Sequence, residues 1–334
     1  MKNKGVIILI VIFFILVGIS GVVNMFSYTA TEYVLDTMCT VTAYGLNSKK
    51  AVMDSVETLK NIESKLNVHS ENSDISNFNR NKNATFEKDI FNMLKTAIKV
   101  SEDTMGAFDI TVKPLVDLWN INGGGPVPRG EDITYRLSSI SYKNVQLNND
   151  DFGAKLINPD TQIDLGGIAK GYCADAIAKV LEKNGIRSAV IDLGGNVRTM
   201  GKNKGKPWRI GIQDPDGKRG EYFGILSVSD KCVVTSGAYE RYFTGNGKVY
   251  HHILDPHTGY PAESDITSVS VVSDDGAVAD ALSTAVYVMG VEKGIELLNS
   301  DAYKDVGYII TYENGKVYMS ENIDFEITAD KYRE

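Results

Sequence analysis

The chain is 334 residues long, 43% hydrophobic and 23% charged, an ordinary globular composition able to bury one large core or two packed lobes. Its formal net charge of −8 excludes a nucleic-acid surface, which needs clustered cations, so a polyanionic ligand would have to be held by a metal, a few basic groups or backbone N–H donors. Cys39, Cys173 and Cys232 are odd in number and widely spaced, which argues against a disulfide framework or a zinc site and leaves three small buried residues.

Lys2 and Lys4 precede an apolar run from Gly5 to Val23, broken only by Ser20. At about 19 residues the run can span a bilayer core, and the preceding positive charges place the rest of the chain outside the cytoplasm. No A-x-A-like site follows it, so a retained anchor is favoured over a cleaved signal peptide. Cys39 lies too far downstream to be a lipid-modified cysteine. Residues 1–27 are therefore expected to be an anchor or signal segment, and residues 28–334 an extracytoplasmic body held at the cell membrane.

Residues 28–48 alternate as strands (Tyr33, Leu35, Val41, Ala43), and Lys49–Leu66 has helical periodicity through Val52, Val56, Leu59 and Ile62. The polar stretch Asn67–Asn83 reads as a surface loop that could face a ligand. Asp89–Asp103 is a second amphipathic helix, capped by Gly106. Trp119–Arg129, with three consecutive glycines and two prolines, reads as a flexible loop. Strand patterns recur at Ala154–Ile157, Ser188–Asp192, Trp208–Ile212, Tyr222–Ser229 and Ser268–Val272, with helices at Ile168–Lys183 and Ala279–Val288. No repeat or linker divides the chain, and the mixture specifies an α+β class of mixed sheets with packed helices.

Five segments carry chemistry. In Asp164-Leu-Gly-Gly-Ile-Ala-Lys-Gly171, two glycines precede a helix whose start offers N–H groups to a phosphate, with Lys170 adding a charge and Asp164 accepting hydrogen bonds. A plain glycine turn satisfies the same pattern. Asp280 and Thr284 lie one turn apart on a helix face and are hard oxygen donors suited to Mg²⁺; a helix-dipole aspartate beside a threonine bonded to its own backbone would look the same. Three of the chain's four histidines fall between His251 and His257, beside an Asp-Pro turn and within reach of acid–base work. His251 and His252 would diverge on a strand, a poor arrangement for zinc, and His252, followed by Ile253 and Leu254, is expected to point inward. Gly106-Ala-Phe-Asp109 could offer an aromatic edge and a carboxylate to a flat heterocycle, or could simply pack. Thr235-Ser-Gly-Ala-Tyr-Glu-Arg241 could turn backbone groups toward a site.

In these residues the chain resembles the bacterial FAD:protein FMN transferases, the ApbE family, with motifs in order from about Asp36 to Gly290. Asp36-Thr-Met-Cys-Thr40 resembles the family's Met-Gly-Thr opening, with Cys39 in place of glycine. Leu66–Ser76 resembles the loop after the first helix, with His69 where relatives often carry tyrosine. Asp192-Leu-Gly-Gly-Asn196 and Pro207–Pro215 complete the series with the segments above. The resemblance implies an ApbE-like, T-fold-related, two-lobed single catalytic domain that uses FAD as donor with Mg²⁺ on its pyrophosphate. It maps metal ligands onto the Gly167 carbonyl, Asp280 and Thr284, and FAD contacts onto Met38, His69, Ala107, Phe108, Asp109, Asp164, Lys170 and Leu254. It also implies proton acceptance by His252, or by a neighbouring carboxylate such as Asp255. The expected reaction moves FMN onto a threonine or serine hydroxyl of a membrane-associated flavoprotein subunit of an electron-transfer complex, releasing AMP. An FAD pyrophosphatase and a non-catalytic FAD-binding protein are the alternatives.

Overall fold

The computed structural model describes residues 26–313 and 315–333. The alternating opening is a hairpin of β1 (Ser27–Val34) and β2 (Thr37–Tyr44), turned by Leu35 and Asp36, both at positive φ as a tight hairpin turn requires. Then follow α1 (Ser48–Leu66), α2 (Asp74–Asn81), β3 (Asn83–Thr85), α3 (Lys88–Asp103), α4 (Lys113–Trp119), α5 (Gly130–Leu137), β4 (Val145–Asn148), β5 (Gly153–Leu156) and α6 (Ala169–Lys183). Strands β6 (Ser188–Leu193), β7 (Asn196–Met200), β8 (Trp208–Gln213), β9 (Tyr222–Val228), β10 (Cys232–Gly237), β11 (Tyr242–Gly245), β12 (Lys248–His251) and β13 (Ile266–Ser273) succeed them. The chain closes with α7 (Gly276–Met289), α8 (Val291–Leu298), β14 (Gly307–Tyr312), β15 (Val317–Met319) and β16 (Asp324–Ile327). The α+β class expected from the sequence is the class observed.

The centre is an eight-stranded sheet in the order β1-β2-β6-β7-β10-β13-β14-β15, antiparallel at every pairing. Helices α1, α6 and α7 cover one face, and α3 packs outside α7. These layers enclose the main core, from Val41 and Ile191 in the sheet to Ile177 and Leu282 in the helices. On the other face Val233, Val272 and Ile309 pack against Ile212, Phe223 and Leu226 of a three-stranded sheet ordered β16-β9-β8. A third cluster joins α4 and α5 to the β11–β12 hairpin through Leu115, Trp119, Ile133 and Tyr250.

Several sequence expectations are corrected. The polar stretch Asn67–Asn83 is not all loop, because α2 lies within it, N-capped by Ser73 and anchored by buried Ile75 and Phe78. Two apolar residues three apart suffice to hold one face of a short helix. Trp119 does not open a loop. It ends α4 fully buried, and its indole donates to the Gly259 carbonyl at 2.8 Å. Helix α7 starts at Gly276, not Ala279, and Asp275 is its N-cap, accepting from the Val278 N–H; Asp280 is thus in its second turn. The cysteines are buried and free, and burial pushes the Cys39 and Cys232 thiols up to about 11 and about 12. No helix among the described residues is long and apolar enough to cross a membrane; the apolar run Gly5–Val23 lies outside them.

Helices α6 and α7 cross at Gly171 and Gly276, where a Cβ on either glycine would collide with the other's carbonyl oxygen. A methyl group at the crossing must drive the two backbones apart, and overpacking of this kind costs about 1–3 kcal/mol. Gly171→Ala is expected to lower stability by about 3 kcal/mol in denaturant unfolding. A loss under about 0.5 kcal/mol would contradict the close crossing, since even a tolerated overpacked site loses more.

Candidate active site at the helix crossing

A cleft of about 850 Å³ lies beside the crossing. It gathers His69, Ala107, Phe108, Asp109, Asp164, Gly167, Lys170, His252, Leu254, Asp280 and Thr284. Met38 and Asp255 are not among its walls. Met38 is 52% exposed on β2, where alternation turns it away from the buried neighbour Cys39. A second, more open depression of about 650 Å³, bordered by His251, Glu263, Asp265 and Glu313, shares none of the cleft residues.

The start of α6 is not free for a phosphate, contrary to the sequence expectation. The Gly171 N–H donates to Asp280 Oδ2 at 2.9 Å, and the Ala169 N–H to the Leu165 carbonyl. The crossing helix has filled the N-terminus with a carboxylate of the same protein, which satisfies the dipole equally well. Asp164 follows an isolated bridge, Val112 to Gln162, rather than a strand, and folds back to accept the Gly166 N–H at 2.7 Å.

Asp280 is 4% exposed. Burial pushes its pKa up; the Lys170 charge and the Gly171 N–H act against that. Among the described residues no cation lies within ion-pair distance of it, and Lys170 instead reaches Asn196 Oδ1 at 3.4 Å. Asn196 also approaches the carboxylate, yet its buried Nδ2 lies outside hydrogen-bond geometry with every group. Thr284 does not bond its own backbone; its hydroxyl faces Ser236 Oγ at 3.4 Å, while Ser283 returns to the Asp280 carbonyl. A Cβ on Gly167 would stand 3.1 Å from the Phe108 ring and 3.9 Å from Thr284 Oγ1, so Gly167 belongs to this corner. A buried carboxylate without a counter-cation, a hydroxyl, a nearby backbone segment and an orphaned amide fit a hard cation that keeps water or phosphate ligands. Among the described residues no three His, Cys, Asp or Glu side chains converge as a metal cage, which disfavours a zinc-type site.

The histidines divide differently from expectation. His251, not His252, turns into the core: its Nε2 lies 3.1 Å from the Ala262 carbonyl, edge-on to Tyr287. His252 is exposed, its ring lining the cleft. Its Nδ1 lies 3.3 Å from the Arg241 carbonyl. A carbonyl only accepts, so that contact places the proton on Nδ1 and leaves Nε2 as an acceptor. Desolvation, and next the Arg241 charge, lower its pKa to about 4. The ring is therefore neutral near pH 7 and able to take a proton.

Asp255 and His257 serve the turn. Asp255 Oδ1 accepts the His257 N–H at 2.9 Å and lies 3.1 Å from His257 Nδ1. His257 Nε2 reaches the Met105 carbonyl. Asp109 borders the cleft with its oxygens already engaged, Oδ1 by Thr111 and Oδ2 by the Tyr142 N–H; burial raises its pKa. Phe108 is the aromatic element beside Gly167. Arg219 and Arg241 also line the cleft; Arg241 closes the Thr235–Arg241 segment singled out in the sequence for its backbone groups, whereas Arg219, an exposed arginine in a turn, carries no periodic signal.

The sequence model of the ApbE family matches residues 35–310. The chain is 37% identical over 237 residues to an FAD:protein FMN transferase of Klebsiella pneumoniae, covering 71% of this chain and 73% of that one. It is 33% identical over 318 residues to the Treponema pallidum protein of the same name, covering 89% and 87%. The crystal structure of the ApbE protein of Thermotoga maritima superposes with a TM-score of 0.81 at 32% identity, covering 89% of this chain and 97% of that one.

The low pKa of His252 is open to direct measurement. Proton NMR titration of its ring should give half-protonation near pH 4 rather than the ordinary 6.5. A midpoint at 6.5 would contradict the neutral ring assigned here.

Proposed function

This chain belongs to the ApbE family, and from that premise we propose that it transfers the FMN half of FAD onto a threonine or serine hydroxyl of a partner flavoprotein. What carries the reading is the pairing in one cleft of a buried carboxylate without a counter-cation, Asp280, with a neutral histidine, His252. FAD lies along Phe108, Ala107, His69 and Leu254, with Asp109 and Asp164 on its polar edges, Lys170 near its phosphates and Met38 at the rim. Asp280, Thr284 and the Gly167 carbonyl are the groups that would hold Mg²⁺. That ion neutralises charge on a pyrophosphate and its leaving group.

The acceptor oxygen attacks the FMN-side phosphorus, the anhydride bond to AMP breaks, and AMP departs. His252 Nε2 takes the hydroxyl proton; Asp255 does not face the cleft and keeps the turn in place. The acceptor is a subunit of a membrane electron-transfer complex, met outside the cytoplasm, where the N-terminal segment tethers the enzyme. A second reading, FAD hydrolysis to FMN and AMP, is favoured by the openness of the same cleft to water.

Incubation with FAD, Mg²⁺ and a candidate acceptor domain should give an FMN adduct by intact mass and AMP by chromatography, both lost without Mg²⁺. AMP with free FMN and no adduct would favour hydrolysis; bound FAD with no AMP would contradict both. His252→Gln is expected to slow transfer about 10²–10⁴-fold, the usual worth of a positioned base, while FAD still binds. Asp280→Asn keeps an oxygen for the Gly171 N–H and removes the charge. It should cut Mg²⁺-dependent AMP release about 100-fold or more with the fold intact; full activity would sink the metal assignment.

A further inference from the structure

The proposed reaction needs a protein chain in the cleft, and one sheet edge there is open. Ile210, Gly211, Ile212 and Gln213 of β8 all line the cleft, and no residue of β9 does. Successive strand side chains point to opposite faces, so a cleft that meets four consecutive residues meets the strand's edge. That edge is the one away from β9, because β8 ends the order β16-β9-β8. Apart from its ladder with β9, no backbone group of Arg209–Gln213 has a hydrogen-bond partner among the described residues.

The segment Arg-Ile-Gly-Ile carries no proline and leaves Gly211 exposed; a register irregularity at Ile212/Gln213 and the charge of Arg209 guard the edge only in part. Its surroundings are basic on a chain of net charge −8. Lys202, Lys204, Lys206, Arg209, Lys218 and Arg219 are all exposed, and none of them forms an ion pair among the described residues. The nearby Asp214 and Asp216 are both held by Lys331.

We propose that the acceptor protein docks as an extended, acidic segment added to the free edge of β8, which delivers its hydroxyl into the cleft. Main-chain pairing supplies affinity with little demand on sequence, and the flanking cations select carboxylates beside the reactive residue. The proposal rests on the flavin-transfer reading.

The test uses the acceptor domain in the transfer assay with the double variant Lys206→Glu/Arg209→Glu, neither of whose positions lines the cleft. Acceptor KM should rise about tenfold or more, as reversal of rim charges slows encounter, while AMP release from FAD without acceptor stays unchanged. Hydrogen exchange on the FAD-loaded His252→Gln enzyme should show amides of 209–213 protected when acceptor is added. An unchanged acceptor KM, or an adduct formed without protection of β8, would overturn the docking mode and leave flavin transfer standing. AMP release from the unaltered enzyme without any adduct would overturn the transfer reading and the docking together.

Discussion

The crossing of α6 and α7 is the constraint on which the cleft depends. Each helix places a glycine at the contact and an aspartate one turn later, and each aspartate takes the other helix's glycine N–H. Asp280 accepts from Gly171 at 2.9 Å, and Asp175 accepts from Gly276 at 2.7 Å. Arg198 secures the second half by reaching Asp175 at 2.9 Å and the Asp274 carbonyl. Hydrogen bonds to charged groups contribute about 1.5–3 kcal/mol each, and here they act at a backbone contact that tolerates no side chain. The reciprocal spacing turns Asp280 and Thr284 toward the cleft and sets Lys170 beside them.

The two aspartates differ in their compensation. Asp175 has a guanidinium beside it, whereas Asp280 is buried without an ion-pair partner, answered by the Gly171 N–H, the approaching Asn196 amide and the field of Lys170. A carboxyl whose folded pKa is raised contributes stability below its unfolded pKa, and that contribution is lost as pH rises through the folded value. In the cation-free protein, burial therefore makes ionisation of Asp280 costly as pH rises. A divalent cation held at this corner, as proposed, would favour the ionised form and offset that cost. In the proposed reaction the same residue would link helix packing to ligand binding, while His252, lining the same cleft, would act as the base.

Much of this was legible in the sequence, for physical reasons. Val41, Ala43 and Ile191 alternate with less buried neighbours because one face of β2 and β6 packs on the helices, whereas β13 is buried on both faces; the periodic apolar residues of α1 and α6 face that sheet. The i, i+4 spacing of Asp280 and Thr284 predicted their shared wall. What failed was local polarity used as a guide to structure: α2 hides Ile75 and Phe78 among asparagines, and Trp119 closes a helix next to a glycine run. The inward histidine was misassigned by one residue, because β12 ends at His251 and the chain bends after it. The phosphate-binding look of the Gly166–Gly171 turn was misleading, since no local pattern reveals that a helix more than a hundred residues later supplies the anion. Asp175, Arg198 and the edge of β8 gain their meaning only from tertiary contact.

The claim that the crossing builds a cation site is tested most directly by crystals grown with Mn²⁺ and ADP. An anomalous peak is expected about 2.0–2.2 Å from an Asp280 oxygen, an ordinary bond length for a small hard cation, with Thr284 and the Gly167 carbonyl on the same side. Ordered ADP in the cleft with no peak at Asp280, or with the Lys170 ammonium paired to that carboxylate instead, would contradict it.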